Sequence, residues 1–567
     1  MAAPIRSIID TRSEQMFPTL EPGEIERMRR FGELRRFAVG ETLARVGEVG
    51  PGVAVVLAGA VEITRRDEAG RPQPVVTHLP GAFMGELAQL SGRPALVDAR
   101  ALKPVEVLVI PPDRLRALLI AEAELGERIM RALILRRVGL LETGAGGPVI
   151  VGRPENGDVL RLAGFLRRNG HPHLQLDPDT DAEARALIER FHVDAGELPI
   201  VLCPGGQMLR NPGEGELARC IGLLGPIDPN RLYDVVVIGA GPAGLATAVY
   251  AGSEGLSVLV LDCRSFGGQA GASARIENYL GFPTGITGMA LMARAYNQAQ
   301  KFGAEMAIPA EGAVLEIADG PRGRRFGLRL AVGERVSARA VVIASGARYR
   351  RLAVENAAAY ESSSVHFWAS PLEARLCMGQ EVALVGAGNS AGQATVYLAS
   401  RAAKVWMLVR GSGLAARMSR YLVDRIEGLP NVEVLTGAEI SGLEGANGVL
   451  EAVRWRHNGS ETRRPIRHLF NFIGADPNTD WLVGSGIALD PKGFILTGLE
   501  GRRLLETSEP GIFAIGDVRS GSVKRVAAAV GEGAQVVATL HAYLAASGQE
   551  PDMTDKTGFE ISVRSGT

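Results

Sequence analysis

The sequence predicts a multidomain chain in which a β-roll and a small α/β unit precede two α/β nucleotide-binding domains. The length of 567 residues corresponds to roughly four domains at about 150 residues each. Glycines punctuate short apolar runs over residues 15–145, which is typical of a β-roll or barrel. Further on, two apolar strand patterns each run into a glycine-rich loop and a small-residue helix.

Composition and charge exclude several classes of protein. The 62 basic and 63 acidic residues give a net charge of −1, so we expect no nucleic-acid partner attracted by a global basic field. Four cysteines are too few for a disulfide scaffold in a chain of this length. Without an apolar run of ~18 residues or the apolar core of a signal peptide, we expect no membrane span and a cytoplasmic location. No metal site is expected either.

The first two predicted units cover residues 15–145 and 147–226, with a glycine-rich linker between them. In the first, strand patterns such as residues 53–57 and 105–110 precede a helix that begins near Pro112. In the second, strand and helix patterns follow in the order βαβαββα. That order resembles a thioredoxin-like fold.

The first glycine loop follows the apolar strand at residues 233–238. Gly239, Gly241 and Gly244 form the GxGxxG pattern, in which the glycines permit a tight turn, a close approach to pyrophosphate and close helix packing. A second strand ends at Asp262, 18 residues after Gly244, where an acid that bonds a ribose hydroxyl is expected. With strand, helix and acid all present, we predict a dinucleotide site.

The second glycine loop follows the strand at residues 382–385. Gly386 and Gly388 lead into Ala391, and alanine is allowed at the third position. The next strand ends at Arg410 instead of an acid, and Arg417 follows. Guanidinium groups there favour a 2′-phosphate, hence NADPH over NADH. A solvated arginine face remains the alternative.

Five further motifs extend these observations: GGQ at residues 267–269, ENYLGFP at 277–283, ASGA at 344–347, GIFAIGD at 511–517 and KRV at 524–526. With them, residues 233–545 resemble the low-molecular-weight thioredoxin reductase family of FAD- and NADPH-binding flavoproteins. The resemblance implies two Rossmann-like domains and a homodimer. The FAD-binding domain is split into residues 230–350 and 475–545, around an NADPH-binding domain at residues 351–474. The family resemblance also implies hydride transfer from NADPH to FAD.

The glycine loops and the resemblance together supply the candidate cofactor residues. For FAD they are Gly239, Gly241, Pro242, Ala243, Gly244, Asp262, Gly268, Gln269, Asn278, Gly346, Gly516, Asp517, Lys524, Arg525 and Val526. For NADPH they are Gly386, Gly388, Asn389, Ser390, Ala391, Arg410 and Arg417. The resemblance implies that Asp517 meets the ribityl chain and that the helix opened by Lys524 points its positive end at the isoalloxazine ring.

The sequence departs from the family at its redox dithiol. The Cys-x-x-Cys position falls on Ala369 and Leu372, so the catalytic residues are unknown. Cys377 stands alone nearby, and we interpret it as a small buried apolar group. A relay through a dithiol needs two thiols able to form a disulfide, and no pair of cysteines has the CxxC spacing.

The two N-terminal units resemble known domains that lack key residues. Residues 15–145 resemble a cyclic nucleotide-binding domain, in which Gly85 and Glu86 match the phosphate cassette. The phosphate-binding arginine is replaced by Ala95, and Arg93 lies two positions early. A degenerate roll used for docking or dimerisation is therefore the alternative to nucleotide binding. In the second unit Pro199 matches a cis-proline, but residues 152–157 have no cysteine and Cys203 is expected as a single thiol.

These observations predict an FAD-dependent NADPH oxidoreductase whose electrons leave to an unidentified acceptor: a small redox protein, a quinone or a thiol. The first alternative is a thioredoxin-disulfide reductase that uses non-standard or partner thiols. The second is a reductase that exchanges electrons between NADP and ferredoxin or flavodoxin. The third is a non-catalytic sensor that holds flavin and nucleotide.

Overall fold

The computed structural model describes residues 8–66, 72–85, 87–90, 93–143, 146–320, 323–331, 333–361, 363–369, 371–446 and 448–547. Glu86, assigned above to a cyclic nucleotide, lies outside these ranges, as does the polar tail from residue 548 onwards. None of the helices within the described ranges combines the length and apolarity that crossing a bilayer requires.

The N-terminal unit consists of two antiparallel sheets followed by two helices. Its elements are α1 (Ile8–Met16), α2 (Pro22–Met28), β1 (Glu33–Phe37), β2 (Thr42–Ala44), β3 (Val53–Ala58), β4 (Val61–Arg66), β5 (Pro72–His78), β6 (Phe83–Met84), β7 (Asp98–Ala101), β8 (Val105–Ile110), α3 (Pro112–Ala121) and α4 (Ala123–Thr143). The strand orders are β1-β8-β3-β6 and β2-β7-β4-β5.

Alternation along the strands explains how this unit packs. Val53 and Val55 on β3 face the helices and share a core with Leu115 of α3, while Ala54 and Val56 face the second sheet. Side chains of successive strand residues point to opposite faces, so β3 lies between the helices and the opposing sheet.

The middle unit has a mixed sheet with strand order β10-β9-β11-β12. Its elements are β9 (Val149–Val151), α5 (Gly157–Arg168), β10 (Leu174–Leu176), α6 (Ala182–Arg190), β11 (Ile200–Leu202), β12 (Met208–Arg210) and α7 (Glu214–Cys220). β10 runs parallel to β9, whereas β11 is antiparallel to both β9 and β12. The peptide bond between Leu198 and Pro199 is cis, as the sequence predicts.

The first α/β domain begins with β13 (Leu232–Ile238), α8 (Pro242–Ser253), β14 (Val258–Leu261), α9 (Gly268–Gly271), α10 (Gly288–Lys301), β15 (Glu305–Ala307), β16 (Gly312–Gly320), β17 (Gly323–Leu330) and β18 (Arg335–Ile343). The strand order is β15-β14-β13-β18-β17-β16. Helix α8 begins at Pro242, and proline is favoured at the first helical position.

The second α/β domain is inserted after β18. It comprises β19 (Ala347–Tyr349), β20 (Val365–His366), α11 (Pro371–Leu376), β21 (Glu381–Val385), α12 (Asn389–Ala399), β22 (Lys404–Val409), α13 (Arg420–Glu427), β23 (Val432–Thr436), β24 (Glu439–Ala446), β25 (Val449–His457), β26 (Ser460–Arg464), β27 (Leu469–Asn471) and β28 (Ala475–Pro477). Its parallel sheet has the order β20-β27-β21-β22-β23. β19 and β28 pair with each other and form the two-stranded connection to the first domain.

The chain then returns to the first domain. β29 (Ile512–Ala514) pairs in parallel with β18, and α14 (Val526–Ala546) packs across α8. A Cβ at Gly533 would lie only 2.5 Å from the Ala243 carbonyl oxygen, so the two helices cross in close contact. This places the first turn of α8 against the second turn of α14.

Candidate functional site

The first glycine loop has the tight geometry that its sequence predicts. Gly239 adopts a φ of 114°, and a Cβ on it would collide with the Ala344 carbonyl oxygen. A Cβ on Gly244 would collide with the Gly239 carbonyl oxygen. Gly241 precedes α8, and a Cβ on it would lie 4.0 Å from its nearest neighbour, the Gly268 Cα. The backbone N–H groups of the first turn of α8 are therefore available to an anion at the end of β13.

Asp262 joins the loop to the end of β14. Its Oδ2 accepts a hydrogen bond from the Ala240 N–H at 2.9 Å, and its Oδ1 accepts from the N–H groups of Arg264 and Ser265. Burial raises the pKa of Asp262, while these three N–H groups act in the opposite direction. A carboxylate offers about four acceptor positions, so one remains for a ribose hydroxyl.

Several other predicted FAD residues converge on this loop. A Cβ on Gly268 would lie 3.2 Å from the Gly241 Cα, and the Gln269 side-chain amide donates to the Ala347 carbonyl oxygen. Gly346 has a φ of 66°, and its carbonyl oxygen accepts from the Asn478 N–H. Asn278, by contrast, is exposed.

Asp517, Lys524 and the start of α14 form the other end of the candidate flavin site. Lys524 Nζ donates to the Asp517 carbonyl oxygen at 2.5 Å, and burial raises the pKa of the Asp517 carboxyl. Burial and then the nearby Asp517 charge raise the pKa of Tyr349 to about 12. Arg525 precedes the first helical residue, Val526. The positive end of α14 thus lies beside Asp517.

Sequence reasoning missed Glu532, which organises this region from within α14. Its Oε2 accepts from the Gly516 N–H at 2.6 Å, and its Oε1 accepts from Arg519 at 2.5 Å. Gly516 has a φ of 70°, and a Cβ on it would lie 3.0 Å from that of Ala243 at the start of α8. A single acid in an apolar helix is the signal that could have revealed Glu532.

The second glycine loop repeats the arrangement of the first. Gly386 has a φ of 140°, and a Cβ there would lie 2.5 Å from the Phe472 carbonyl oxygen. Gly388 caps α12, and a Cβ on it would have no neighbouring atom within 4 Å. Ala391 is buried, and Ser390 is exposed at the start of α12.

Asn389, Arg410 and Arg417 lie at the same edge of the sheet. Arg410 directly follows β22, whose Leu408 carbonyl oxygen accepts from the Gly386 N–H. Asn389 Oδ1 accepts from the Ser419 N–H at 2.7 Å, which ties the segment carrying Arg417 to the start of α12. Both arginines are exposed, and within the described residues neither guanidinium has an ion pair or hydrogen bond.

Each glycine loop therefore fits a dinucleotide. In both loops, glycines occupy positions where a side chain would fill the space at the N-terminus of the following helix, which we call the glycine cradle. In both, the N–H groups of that helix N-terminus are available to a phosphate. Within these loops, Asp262 fits a ribose hydroxyl at the first and the two arginines fit an added phosphate at the second. The two domains also meet through an ion pair that sequence reasoning missed, between Glu277 and Arg425 at 2.9 Å.

The position of the family dithiol begins at a buried apolar residue, and the segment beside it contacts the middle unit. Ala369 is buried, and Leu372 lies in α11. Burial raises the pKa of the buried Cys377 to about 12, which matches its interpretation as an apolar group. Arg168 of α5 lies over the ring of Trp368 at 5.4 Å. The middle unit thus contacts the segment beside the missing dithiol.

The expectation that Cys203 is a single thiol is wrong. Cys203 and Cys220 form a disulfide with a Cα–Cα distance of 6.2 Å, within the usual range. Cys203 directly follows β11 and Cys220 ends α7. The two meet because α7 packs back over the sheet, which a separation of 17 residues does not signal. At the expected redox position, a Cβ on Gly152 would lie 3.1 Å from that of Pro199, and Asn156 caps α5.

The predicted cyclic nucleotide residues have an unexpected arrangement. The Gly85 carbonyl oxygen accepts from Arg136 Nη1 at 2.8 Å, and Ala95 is buried. Arg93 does not replace the missing arginine, because its Nη2 donates to the Tyr296 hydroxyl at 2.5 Å in the first α/β domain.

Comparisons with known proteins agree with this geometry. The model of the pyridine nucleotide-disulphide oxidoreductase family matches residues 233–533, and that of the cyclic nucleotide-binding domain matches residues 34–122. The thioredoxin reductase of Mycoplasmopsis pulmonis is 32% identical over 310 residues, covering 54% of this chain and 95% of that protein.

Two further proteins are similar to more than half of this chain. The bifunctional thioredoxin reductase/thioredoxin of Mycobacterium leprae is 30% identical over 337 residues, 59% of this chain and 71% of that protein. The crystal structure of Lactococcus lactis thioredoxin reductase in the FR conformation has a TM-score of 0.50 and 27% identity, covering 55% of this chain and 99% of that one. Over residues 233–533, in a thioredoxin reductase-like fold of two α/β domains, this chain belongs to the pyridine nucleotide-disulphide oxidoreductase family.

Proposed function

We propose that this chain is an FAD-dependent NADPH oxidoreductase that delivers electrons to an acceptor other than a cysteine pair in its NADPH-binding domain. The observation that carries the proposal is the coexistence of two glycine cradles with a thiol-free dithiol position at Ala369 and Leu372. When bound, NADPH and FAD would supply hydride transfer from nicotinamide to flavin.

The residues of the chain would bind and orient these groups. The first turn of α8 would hold the FAD pyrophosphate, and the remaining acceptor position of Asp262 would hold a ribose hydroxyl. The positive end of α14 beside Asp517 would stabilise negative charge on the flavin ring. The first turn of α12 would hold the NADPH pyrophosphate, and Arg410 and Arg417 would bind its 2′-phosphate.

The contact between Trp368 and Arg168 argues against electron transfer to a disulfide at the position of the family dithiol. It covers the neighbourhood of α11 with the middle unit, and Glu373 of α11 is itself buried and accepts from the Trp368 indole N–H at 3.0 Å. A protein disulfide would have to displace this packing to reach the segment.

Anaerobic titration of the purified protein with NADPH tests the proposal. We expect bound flavin whose absorbance is bleached by NADPH. Stopped-flow reoxidation with oxygen, a quinone, ferredoxin, flavodoxin or a disulfide then identifies the acceptor class. A protein that purifies without flavin and does not bind added FAD would refute the proposal.

The disulfide between Cys203 and Cys220 favours a second candidate, a disulfide reductase that relays electrons through these thiols. Cys203 is only 5% exposed, so thiol–disulfide exchange there needs access that this conformation does not provide. The double variant Cys203→Ser, Cys220→Ser separates the candidates. It should keep both flavin reduction and acceptor turnover under the first, and should lose only acceptor turnover under the second.

A further inference from the structure

A cavity of about 390 Å³ lies inside the N-terminal unit, between its two sheets and helix α4. Most of its wall is apolar, with Leu43, Ile63, Val97 and Val109 among the lining residues. Ligand cavities of about 300–1,000 Å³ with mainly apolar walls and a few polar groups are typical of small-molecule sites. The volume is far larger than the voids that close-packed cores leave.

One buried cation, Arg136, is among the residues that line this cavity. Arg136 on α4 is 8% exposed, its Nε donates to the Met16 carbonyl oxygen at 2.9 Å, and its Nη1 donates to the Gly85 carbonyl oxygen. Among the described residues, Nη2 has no hydrogen-bond partner and no carboxylate forms an ion pair with the guanidinium. Buried charges are normally paired, and an anion bound in the cavity would give Arg136 a partner that the described residues do not supply.

The surroundings of Arg136 hold its guanidinium in place. The guanidinium carbon lies 4.5 Å from the centroid of the Phe83 ring and 5.2 Å from that of Phe17. Burial lowers the pKa of Arg136 to about 9, so it is still protonated at neutral pH. Burial, followed by the Arg136 charge, lowers the pKa of the neighbouring His78 to about 3, so that imidazole is neutral.

The cavity does not match the chemistry of a cyclic nucleotide. Ala95 contributes a methyl group to the wall where the family resemblance expects the phosphate-binding arginine. Arg93 is engaged by Tyr296 outside the cavity. Arg65 also lines the cavity, and it lies on β4. The buried positive charge of the cavity wall is that of Arg136, which lies on α4.

We propose that this cavity binds a small carboxylic acid with an apolar body, with its carboxylate on Arg136. A cavity of ~150 Å³ accommodates benzene, so by proportion this one has room for about 16 non-hydrogen atoms. A carboxylate accepts a charge-assisted hydrogen bond from the unpaired Nη2, and the apolar body replaces water along the sheet faces. The proposal concerns the N-terminal unit and does not depend on the proposed reductase function.

Calorimetric titration of the full-length protein tests the proposal, with decanoate and phenylbutanoate as aliphatic and aromatic probes. We expect at least one of them to bind with one site per chain. Decanol, which has the same body as decanoate without the charge, should bind at least about tenfold more weakly. Cyclic AMP should neither bind nor compete.

Three variants locate the site. Arg136→Met should weaken binding of the carboxylate by about tenfold or more. Val97→Phe places a larger side chain in the cavity and leaves Arg136 intact, so it should also weaken binding of the carboxylate. This second variant tests the proposal even if Arg136→Met does not fold. Arg36→Met, an exposed arginine on β1, should bind like the wild type. The proposal would be overturned if neither acid bound the wild-type protein. It would also be overturned if Arg136→Met and Val97→Phe bound the acid as tightly as the wild type, or if cyclic AMP bound more tightly than the acids.

Discussion

Replacing Arg410 or Arg417 by alanine should change the choice between NADPH and NADH. Arg410 follows β22 at the edge where Gly386 begins the second glycine loop, and Arg417 is held near α12 by the bond between Asn389 and Ser419. Because both guanidinium groups lack partners within the described residues, a bound phosphate would not have to displace an existing ion pair.

The size of the effect follows from the strength of such contacts. A hydrogen bond to a charged group contributes about 1.5–3 kcal/mol, which corresponds to a factor of ~10–160 in affinity. NADH lacks the 2′-phosphate and should lose little. The ratio of kcat/KM for NADPH to that for NADH should therefore fall by about 10-fold or more in Arg410→Ala or Arg417→Ala.

The assay measures anaerobic flavin reduction against the concentration of each nucleotide. Arg420→Ala is the matched control, because Arg420 lies near Arg417 but is already paired with Asp424 at 2.7 Å. We expect its nucleotide preference to be unchanged. If the two test variants lost NADPH and NADH activity equally, the reasoning that these arginines bind the 2′-phosphate would be refuted.

Three other predictions concern the loops, the thiols and the buried histidines. Gly244→Ala should lower the Tm and abolish flavin binding, because its methyl would meet the Gly239 carbonyl oxygen. A methyl on Gly241 would lie 4.0 Å from the Gly268 Cα, so Gly241→Ala should weaken FAD binding without lowering the Tm of the apoprotein. A similar Tm loss in both variants would contradict this. Cys377→Ala should leave the rate of flavin reduction by NADPH unchanged, since burial holds the pKa of that thiol at about 12; a lost rate would show that the thiol takes part. Burial lowers the pKa of His171 from 6.5 to about 3. Between these pH values, His171 is therefore protonated in the unfolded chain and neutral in the folded one. The contribution of His171 to the free energy of unfolding should fall by up to about 1.4 kcal/mol per pH unit as the pH drops below about 6.5. Urea titrations of His171→Leu should therefore show a shallower dependence on pH than those of the wild type.

The glycine loops could be predicted from sequence because their requirements are local. Gly239 and Gly386 have φ values of 114° and 140°, which side chains other than hydrogen rarely allow, and each lies between a strand and a helix. The pattern of residues along the chain therefore contains nearly all the information that sets the cradle.

Other features depend on contacts between distant segments. Cys203 and Cys220 meet only because α7 returns over β11. Arg93 binds Tyr296, which lies 203 residues away, so its position within the phosphate cassette did not reveal its partner. The cavity next to Arg136 is a volume left between two sheets and a helix, and no periodicity in the sequence records it.

The most direct test of the central claim is anaerobic reduction of the flavin by NADPH in the Cys203→Ser, Cys220→Ser, Cys377→Ala variant. This variant removes the disulfide and the buried thiol together, so within the described residues only the exposed Cys263 remains. We predict stoichiometric FAD, full bleaching of its absorbance by NADPH and reoxidation by the acceptor of the wild type at an unchanged rate. Normal flavin reduction followed by complete loss of acceptor turnover would contradict the claim that electrons leave without a cysteine relay.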